Sequence, residues 1–136
     1  MNKEELMQVG SEKNHFANYL GIRITEIKEG YAKGEMEIED KFQNIINSVH
    51  GGCLFSLADT IAGAAAISYG EMATTISGSM NYLSPAMDTK KIMATAIEIK
   101  HGKRISVYDV EVVNDIGKLL AKGSFSFFNL EKTAAL

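Results

Sequence analysis

The most constraining feature of the sequence is an apolar run at residues 51–70, in which Asp59 is the only charged residue. The run is rich in Ala, Ile and Leu, and it is long enough to cross a bilayer as a helix. A carboxylate near the bilayer centre is costly, however, and the flanking segments have strand patterns instead of interfacial anchors. A helix that is apolar on nearly all sides is typical of burial inside a protein. We therefore predict the central core helix of a soluble domain.

The segments before this run predict one helix and one hairpin. Residues 4–17 have the spacing of an irregular amphipathic helix, with a break or cap expected at Gly10-Ser11. Apolar residues then recur on both sides of a Glu29-Gly30 turn signal and alternate with polar ones through residue 38.

Four strand-like runs follow the central helix and are separated by turn residues, at 74–83, 91–100, 105–113 and 119–128. Short turns between successive strands predict a largely antiparallel sheet. Because one long apolar helix can cover the inner face of such a sheet, we predict an α+β fold with the sheet wrapped around the helix. The 136 residues make one domain, with residues 1–18 as an N-terminal helical segment and 129–136 as a C-terminal tail.

Composition narrows the class of protein. The formal charge of −3 argues against general nucleic-acid binding, and the 46% apolar content is ordinary for a soluble protein. Cys53 is the only cysteine, which excludes an intramolecular disulfide and a cysteine-based metal site. The charged first residues do not have the pattern of a signal peptide. We expect a cytoplasmic protein without a metal or a membrane partner.

The entrance of the central helix, His50-Gly51-Gly52, predicts an anion-stabilising site. Two residues without side chains allow close approach to the backbone. The first N–H groups of a helix have no partner within it and carry partial positive charge. Such a site suits the oxyanion that develops when a carbonyl carbon is attacked, and His50 at its edge is able to donate a hydrogen bond to the same region.

Asp59 is the candidate catalytic group, as a general base for water or as a direct nucleophile on an acyl carbon. Nine helical residues separate it from His50, which at ~1.5 Å of rise per residue is about 13 Å. The two residues are therefore too far apart to act on one carbonyl within a single chain. A two-fold dimer with antiparallel central helices solves this problem, because Asp59 of one subunit then faces the Gly52 entrance of the other.

Structural roles compete with each of these assignments. A Gly-Gly pair is often only a turn, a histidine before a helix is often its cap, and Asp59 is able to hydrogen-bond a strand end. Cys53 is a rival nucleophile in the first helical turn, although the sequence shows no His–Asp arrangement around it. Five basic residues lie close together in the sequence, Lys90, Lys91, Lys100, Lys103 and Arg104. They either bind phosphate or are solvated side chains at the ends of hairpins.

The pattern resembles the hot-dog-fold acyl-CoA thioesterases of the phenylacetate-pathway (PaaI-like) type. The resemblance covers about residues 21 to 128, and its motifs are Asn44, His50-Gly51-Gly52, Asp59 and the segment from Asn81 to Ala86 that contains Pro85. It implies a curved antiparallel sheet around a long central helix, paired into dimers and commonly into dimers of dimers.

The same resemblance implies roles for individual residues. The catalytic carboxylate falls on Asp59, the oxyanion donor on the Gly52 N–H, and the supporting polar residues on His50 and Asn44. A hydroxyl that positions water falls on Thr75. Coenzyme A, a part of the substrate and not a cofactor, is expected along the subunit boundary, with Gly51 among its contacts. Its phosphates are expected near Asn81, near the Lys103-Arg104 turn, or near both.

We therefore predict hydrolysis of an acyl-CoA thioester to free acid and coenzyme A. The alternatives are a hot-dog hydratase or dehydratase and a non-catalytic acyl-CoA-binding module. The Asp59 carboxylate weighs against a pure binding module, because a binder has little need of a buried carboxylate. The sequence leaves the acyl group open.

Overall fold

The computed structural model describes residues 2–133, with only the backbone described for residues 3, 9–11 and 133. Its central helix, α3, spans Gly51–Ala66. Leu57, Ala58, Ile61 and Ala62 are fully buried on it. A 3₁₀ turn at Ile67–Tyr69 follows, and Gly70 ends the segment with a φ of 98°. The stretch Gly51–Tyr69 is long and apolar enough to cross a membrane, but half of the relevant window is buried inside the fold. The predicted core helix is thus confirmed.

Within residues 2–133, six antiparallel strands form one sheet in the order β1-β2-β4-β5-β6-β3. The strands are β1 Arg23–Lys28, β2 Tyr31–Glu37, β3 Glu71–Tyr82, β4 Lys91–His101, β5 Ile105–Asn114 and β6 Leu119–Thr133. Their inward side chains alternate with outward ones, as Ile92, Ala94 and Ala96 do on β4, all of which are fully buried. Helix α3 packs across the inner face of the sheet. This is the α+β hot-dog arrangement that the sequence predicts.

Strand β3 lies at an edge of the sheet and pairs only with β6 among the described strands. The Ser84-Pro85 segment therefore does not close a hairpin between β3 and β4, as the expectation of short turns implied. It begins a connection that carries the chain across the sheet to β4 beside β2. Residues 74–79 of β3 are all exposed, which leaves one long strand edge uncovered in the single chain.

The N-terminal segment forms two helices, α1 at Lys3–Lys13 and α2 at His15–Leu20. The break expected at Gly10-Ser11 lies instead at Asn14, whose side chain accepts a hydrogen bond from the Ala17 N–H at 3.1 Å and caps α2. The helical segment thus extends two residues beyond the predicted limit at residue 18.

The prediction of a C-terminal tail at residues 129–136 is wrong for residues 129–133. Strand β6 continues through Thr133, because Ala73 of β3 pairs with Asn129 and Glu71 pairs with Thr133. Residues 134–136 lie outside the described part of the chain.

Candidate functional site

Asp59 and Thr75 form the polar pair at the middle of α3. The Thr75 hydroxyl donates to Asp59 Oδ1 at 2.7 Å. Asp59 is half-buried in the single chain, so the fully buried carboxylate expected from the apolar run is wrong. The hydrogen bond holds the carboxylate in one orientation, and it leaves Oδ2 without a hydrogen-bond partner among the described residues.

A cavity of about 380 Å³ opens beside this pair, between α3, β3 and the α1–α2 junction. Its volume falls within the range of about 300–1,000 Å³ that is usual for small-molecule sites. The residues that line it are Lys13, Asn14, Ile24, Asp59, Thr60, Gly63, Ala64, Ile67, Met72, Ala73, Thr74, Thr75 and Phe127. Most of the wall is apolar, with the carboxylate and the hydroxyl on one side.

His50 is the N-cap of α3, which is the structural role that the sequence left open for this histidine. Its Nδ1 accepts a hydrogen bond from the Gly52 N–H at 2.8 Å. The sequence did not predict this direction, because we expected His50 to donate alongside Gly52. In the neutral ring, the proton then lies on Nε2, which remains able to donate.

Asn44 holds the loop that leads into the helix. Its Oδ1 accepts from the backbone N–H groups of Ile46 and Ser48 at 3.0 and 3.1 Å, and its Nδ2 donates to Ser48 Oγ at 2.9 Å. These bonds form an Asx turn that fixes the loop. Asn44 and Gly51 also line a second cavity of about 330 Å³.

Tyr82, an apolar pocket-lining candidate from the sequence, contacts the helix entrance through its polar end, which the sequence did not predict. Its hydroxyl donates to the Gly51 carbonyl at 3.2 Å, and its ring lies 3.3 Å from where a Gly51 Cβ would be. A side chain at position 51 would therefore crowd the Tyr82 ring, which would have to shift by a few tenths of an ångström.

The helix entrance and the Asp59–Thr75 pair remain separate within one chain. Both belong to α3, and the nine-residue interval puts them about 13 Å apart along the axis. They also line different cavities. The chain thus presents two separate polar groups on α3, the carboxylate–hydroxyl pair at its middle and the capped helix entrance.

The candidate phosphate-binding residues lie in two places. Asn81 is near the end of β3, where it pairs with Lys122. Lys103 and Arg104 form the tip of the β4–β5 hairpin, and the Arg104 carbonyl accepts from the Asn129 N–H near the start of β3. Lys91, at the other end of β4, lies 3.2 Å from Glu35 in an ion pair. The predicted basic concentration is therefore not one patch.

Cys53 is buried, and burial raises the pKa of its thiol. Its Sγ lies 3.9 Å from the Phe42 carbonyl oxygen, to which it donates weakly. Since the thiolate is the nucleophilic form, this environment argues against the rival nucleophile.

Comparison with known proteins identifies the family. Residues 46–121 match the model of the thioesterase superfamily. The acyl-coenzyme A thioesterase PaaI of Escherichia coli is 38% identical over 111 residues, which cover 81% of this chain and 79% of that protein.

Solved structures agree with the fold. The PaaI protein from the Escherichia coli phenylacetic acid degradation operon superposes with a TM-score of 0.84 at 31% identity, over 96% of this chain and 99% of that chain. A Streptococcus mutans protein crystallised with bound acetyl-CoA has a TM-score of 0.78 at 29% identity, over 83% of this chain and 91% of that one.

Proposed function

We infer that this chain, which belongs to the thioesterase superfamily, is a PaaI-like acyl-CoA thioesterase whose active site is completed by a second subunit. The observation that carries the inference is the Asp59–Thr75 hydrogen bond beside an apolar cavity, on the same helix as the Gly52 entrance. A positioned carboxylate, backbone donors and an apolar pocket are what acyl transfer requires.

Asp59 begins the reaction at the thioester carbonyl, by one of two routes. Its free Oδ2 either removes a proton from a water that adds to the carbon, or adds to the carbon itself and forms an anhydride that water then cleaves. In both routes the carbon–sulfur bond breaks, the coenzyme A thiolate leaves, and a free acid is the second product. Thr75 holds the carboxylate for this step.

The partner subunit's Gly52 supplies the backbone donor for the oxyanion. In the single chain this N–H is directed at His50 Nδ1, so the oxyanion shares the donor with the imidazole or replaces it. His50 Nε2–H and the rigid Asn44 loop orient the substrate carbonyl at the same entrance. The chemistry needs no cofactor other than the coenzyme A of the substrate.

The uncovered edge of β3 supports a dimer in which two sheets join through this strand. Thr75 lies on this strand, so such pairing brings a second subunit close to the Asp59–Thr75 pair. A dimer of dimers is the further assembly that we propose. A cytoplasmic location agrees with the single free cysteine.

Coenzyme A is proposed to bind along the subunit boundary. The acetyl-CoA of the Streptococcus mutans relative supports a ligand of this class. Gly51, Asn81 and the Lys103-Arg104 tip are the proposed contacts. Since Asn81 and the tip lie toward opposite ends of β3 in one chain, a single coenzyme A that contacts both requires them from different subunits.

The substitution Asp59→Asn tests the proposed chemistry. It keeps the shape and one hydrogen-bond acceptor but removes the base, so we expect thiol release from acyl-CoAs to fall by about 100-fold or more. Asp109→Asn, a half-buried carboxylate on β5, is the matched control and retains activity. Unchanged turnover in Asp59→Asn on every acyl-CoA would defeat the proposal. Tight binding of acyl-CoA by the wild-type protein without thiol release would favour a binding module.

A further inference from the structure

We propose that the 380 Å³ cavity beside Asp59 receives the acyl group, and that Gly63 and Ile24 determine which acyl groups it admits. The ligand class is an uncharged hydrocarbon acyl chain. This inference rests on the proposed thioesterase function and assigns the substrate specificity of the same site.

Gly63 lies on the cavity side of α3, one helical turn after Asp59. Residues four apart on a helix share one face, so position 63 is the neighbour of the carboxylate. A Cβ built at Gly63 meets only the Phe127 ring, at 3.7 and 3.9 Å, which are ordinary van der Waals distances. A side chain here therefore fits without displacing the fold, and it occupies the space next to the reacting carbonyl. The glycine keeps that space open for the first carbons of the acyl group.

Ile24 closes the cavity at its other side. Ile24 and Thr60 line both this cavity and a neighbouring one of about 620 Å³, which lies beneath α1 and α2. The two side chains therefore form a partition between the cavities. Ile24 is half-buried, and its removal opens a continuous space from Asp59 to the N-terminal helices. The partition limits the length of the acyl chain.

The walls between Asp59 and the partition select for hydrocarbon. Ile67, Met72 and Phe127 face this space. The Asp59 carboxylate disfavours a second negative charge close to the thioester, and an apolar wall disfavours an unpaired polar group. The Lys13 side chain also lines the cavity, at the α1–α2 junction, so this selection applies to the part of the cavity beside Asp59.

The test is thiol release from acetyl-, hexanoyl-, decanoyl- and palmitoyl-CoA and from α-branched isobutyryl-CoA, with four variants. Gly63→Ala and Gly63→Val should lower kcat/KM for isobutyryl-CoA relative to acetyl-CoA by roughly 10-fold or more, since one methylene group in a pocket is worth about that factor. Ile24→Ala should shift the preference toward longer chains by a similar factor. Ile38→Ala is the control, because Ile38 is similarly half-buried but outside both cavities. Thermal melting verifies that each variant is folded, and Ile24→Val replaces Ile24→Ala if that variant does not fold.

A selective loss of isobutyryl-CoA hydrolysis in the Gly63 variants, together with a shift toward longer chains in Ile24→Ala, supports the proposal, whereas a merely structural role changes all substrates by one factor. If the wild-type protein hydrolyses acyl-CoAs and the profiles of the Gly63 and Ile24 variants remain parallel to its own, the acyl-pocket assignment is overturned and the thioesterase function stands. If the wild-type protein hydrolyses none of them, the proposed function fails, and the pocket assignment fails with it.

Discussion

Thr75 and Asp59 are the pair of residues on which the proposed chemistry depends most. The hydroxyl donates to one carboxylate oxygen at 2.7 Å and leaves the other oxygen without a hydrogen-bond partner among the described residues. Hydrogen bonds to charged groups are stronger than neutral ones, and in a catalytic site their value is orientation.

Thr75→Val removes the hydroxyl and keeps the branched shape on β3. We expect kcat to fall by roughly 10-fold, the cost of one hydrogen bond to a charged group, with a small change in KM. Steady-state kinetics on the best acyl-CoA measures kcat and KM separately, and Thr95→Val on β4, a half-buried threonine outside the cavity, is the control. A kcat equal to that of the wild-type protein would show that Thr75 does not position Asp59.

Tyr69 couples stability to alkaline pH. Burial, followed by its 2.7 Å hydrogen bond to Glu98, raises the pKa of Tyr69 from 10.0 to about 12. Between these values the unfolded chain has lost the phenol proton and the folded chain retains it. Stability is therefore full below about pH 10 and falls as the pH rises toward 12.

Tyr69→Phe should make this decline shallower. The decline persists in part, because burial also raises the pKa of Tyr108 to about 12. Urea unfolding at a series of alkaline pH values measures the slope, with Tyr19→Phe, an exposed tyrosine, as the control. An identical slope in Tyr69→Phe and the wild-type protein would contradict the assignment.

The sequence identifies some of these residues and not others. Asp59 is predictable because it is the only charge in a long apolar run. The family resemblance indicated Thr75 as a hydroxyl that positions water, but its hydrogen bond to Asp59 was not predicted, because it depends on how the chain returns after Gly70. The direction of the His50 bond depends on a ring rotation that no sequence pattern encodes.

At the scale of elements, a glycine on β2 allows the sheet to pack closely against α3. A Cβ at Gly34 of β2 would lie 2.6 Å from the Arg23 carbonyl oxygen and would overlap the Ile61 side chain of α3. Both neighbours are fixed, one by the backbone and one by the core.

Gly34→Ala should therefore lower the free energy of unfolding by about 1–3 kcal/mol, the usual cost of overpacking a core. Gly63→Ala on α3 is the matched control, because a Cβ built at Gly63 lies 3.7 Å from its nearest neighbour, the Phe127 ring. There the free energy of unfolding should stay unchanged or rise by about 0.5–1 kcal/mol, because alanine is the better helix former. Chemical denaturation distinguishes the two, and equal destabilisation would contradict the packing described.

The limits of an element were predicted well where the hydrophobic periodicity was strong. They were predicted poorly where the capping of a helix by a single residue sets its end. Strands β4 and β5 begin at the predicted residues and extend one residue further. The helix break moved to Asn14 because a glycine inside a helix costs only about 1 kcal/mol, whereas the Asn14 side chain actively caps the next helix.

For the whole molecule, the α+β class followed from one helix that had to cover one sheet. The strand order did not, because turn residues show where a strand ends but not which strand it joins. The position of β3 at the edge beside β6 is therefore a finding of the structure. It is also the feature that makes a two-subunit site feasible.

The central claim is that each active site combines Asp59 of one subunit with Gly52 of the other. Two inactive variants test it: Asp59→Asn, and Gly52→Pro, which removes the N–H in a helical turn that tolerates proline. Co-expressed with different affinity tags and purified through both, the mixed dimers have one site with both defects and one intact site. Without selection, random assortment should restore about a quarter of wild-type activity, since about half of the dimers are mixed and each has one working site.

Thiol release by the doubly purified mixed dimer, compared with each homodimer, is therefore the decisive measurement. The account predicts that the mixed dimer is active while both homodimers are inactive. A mixed dimer as inactive as its parents would show that Asp59 and Gly52 act within one chain, and it would contradict the composite site.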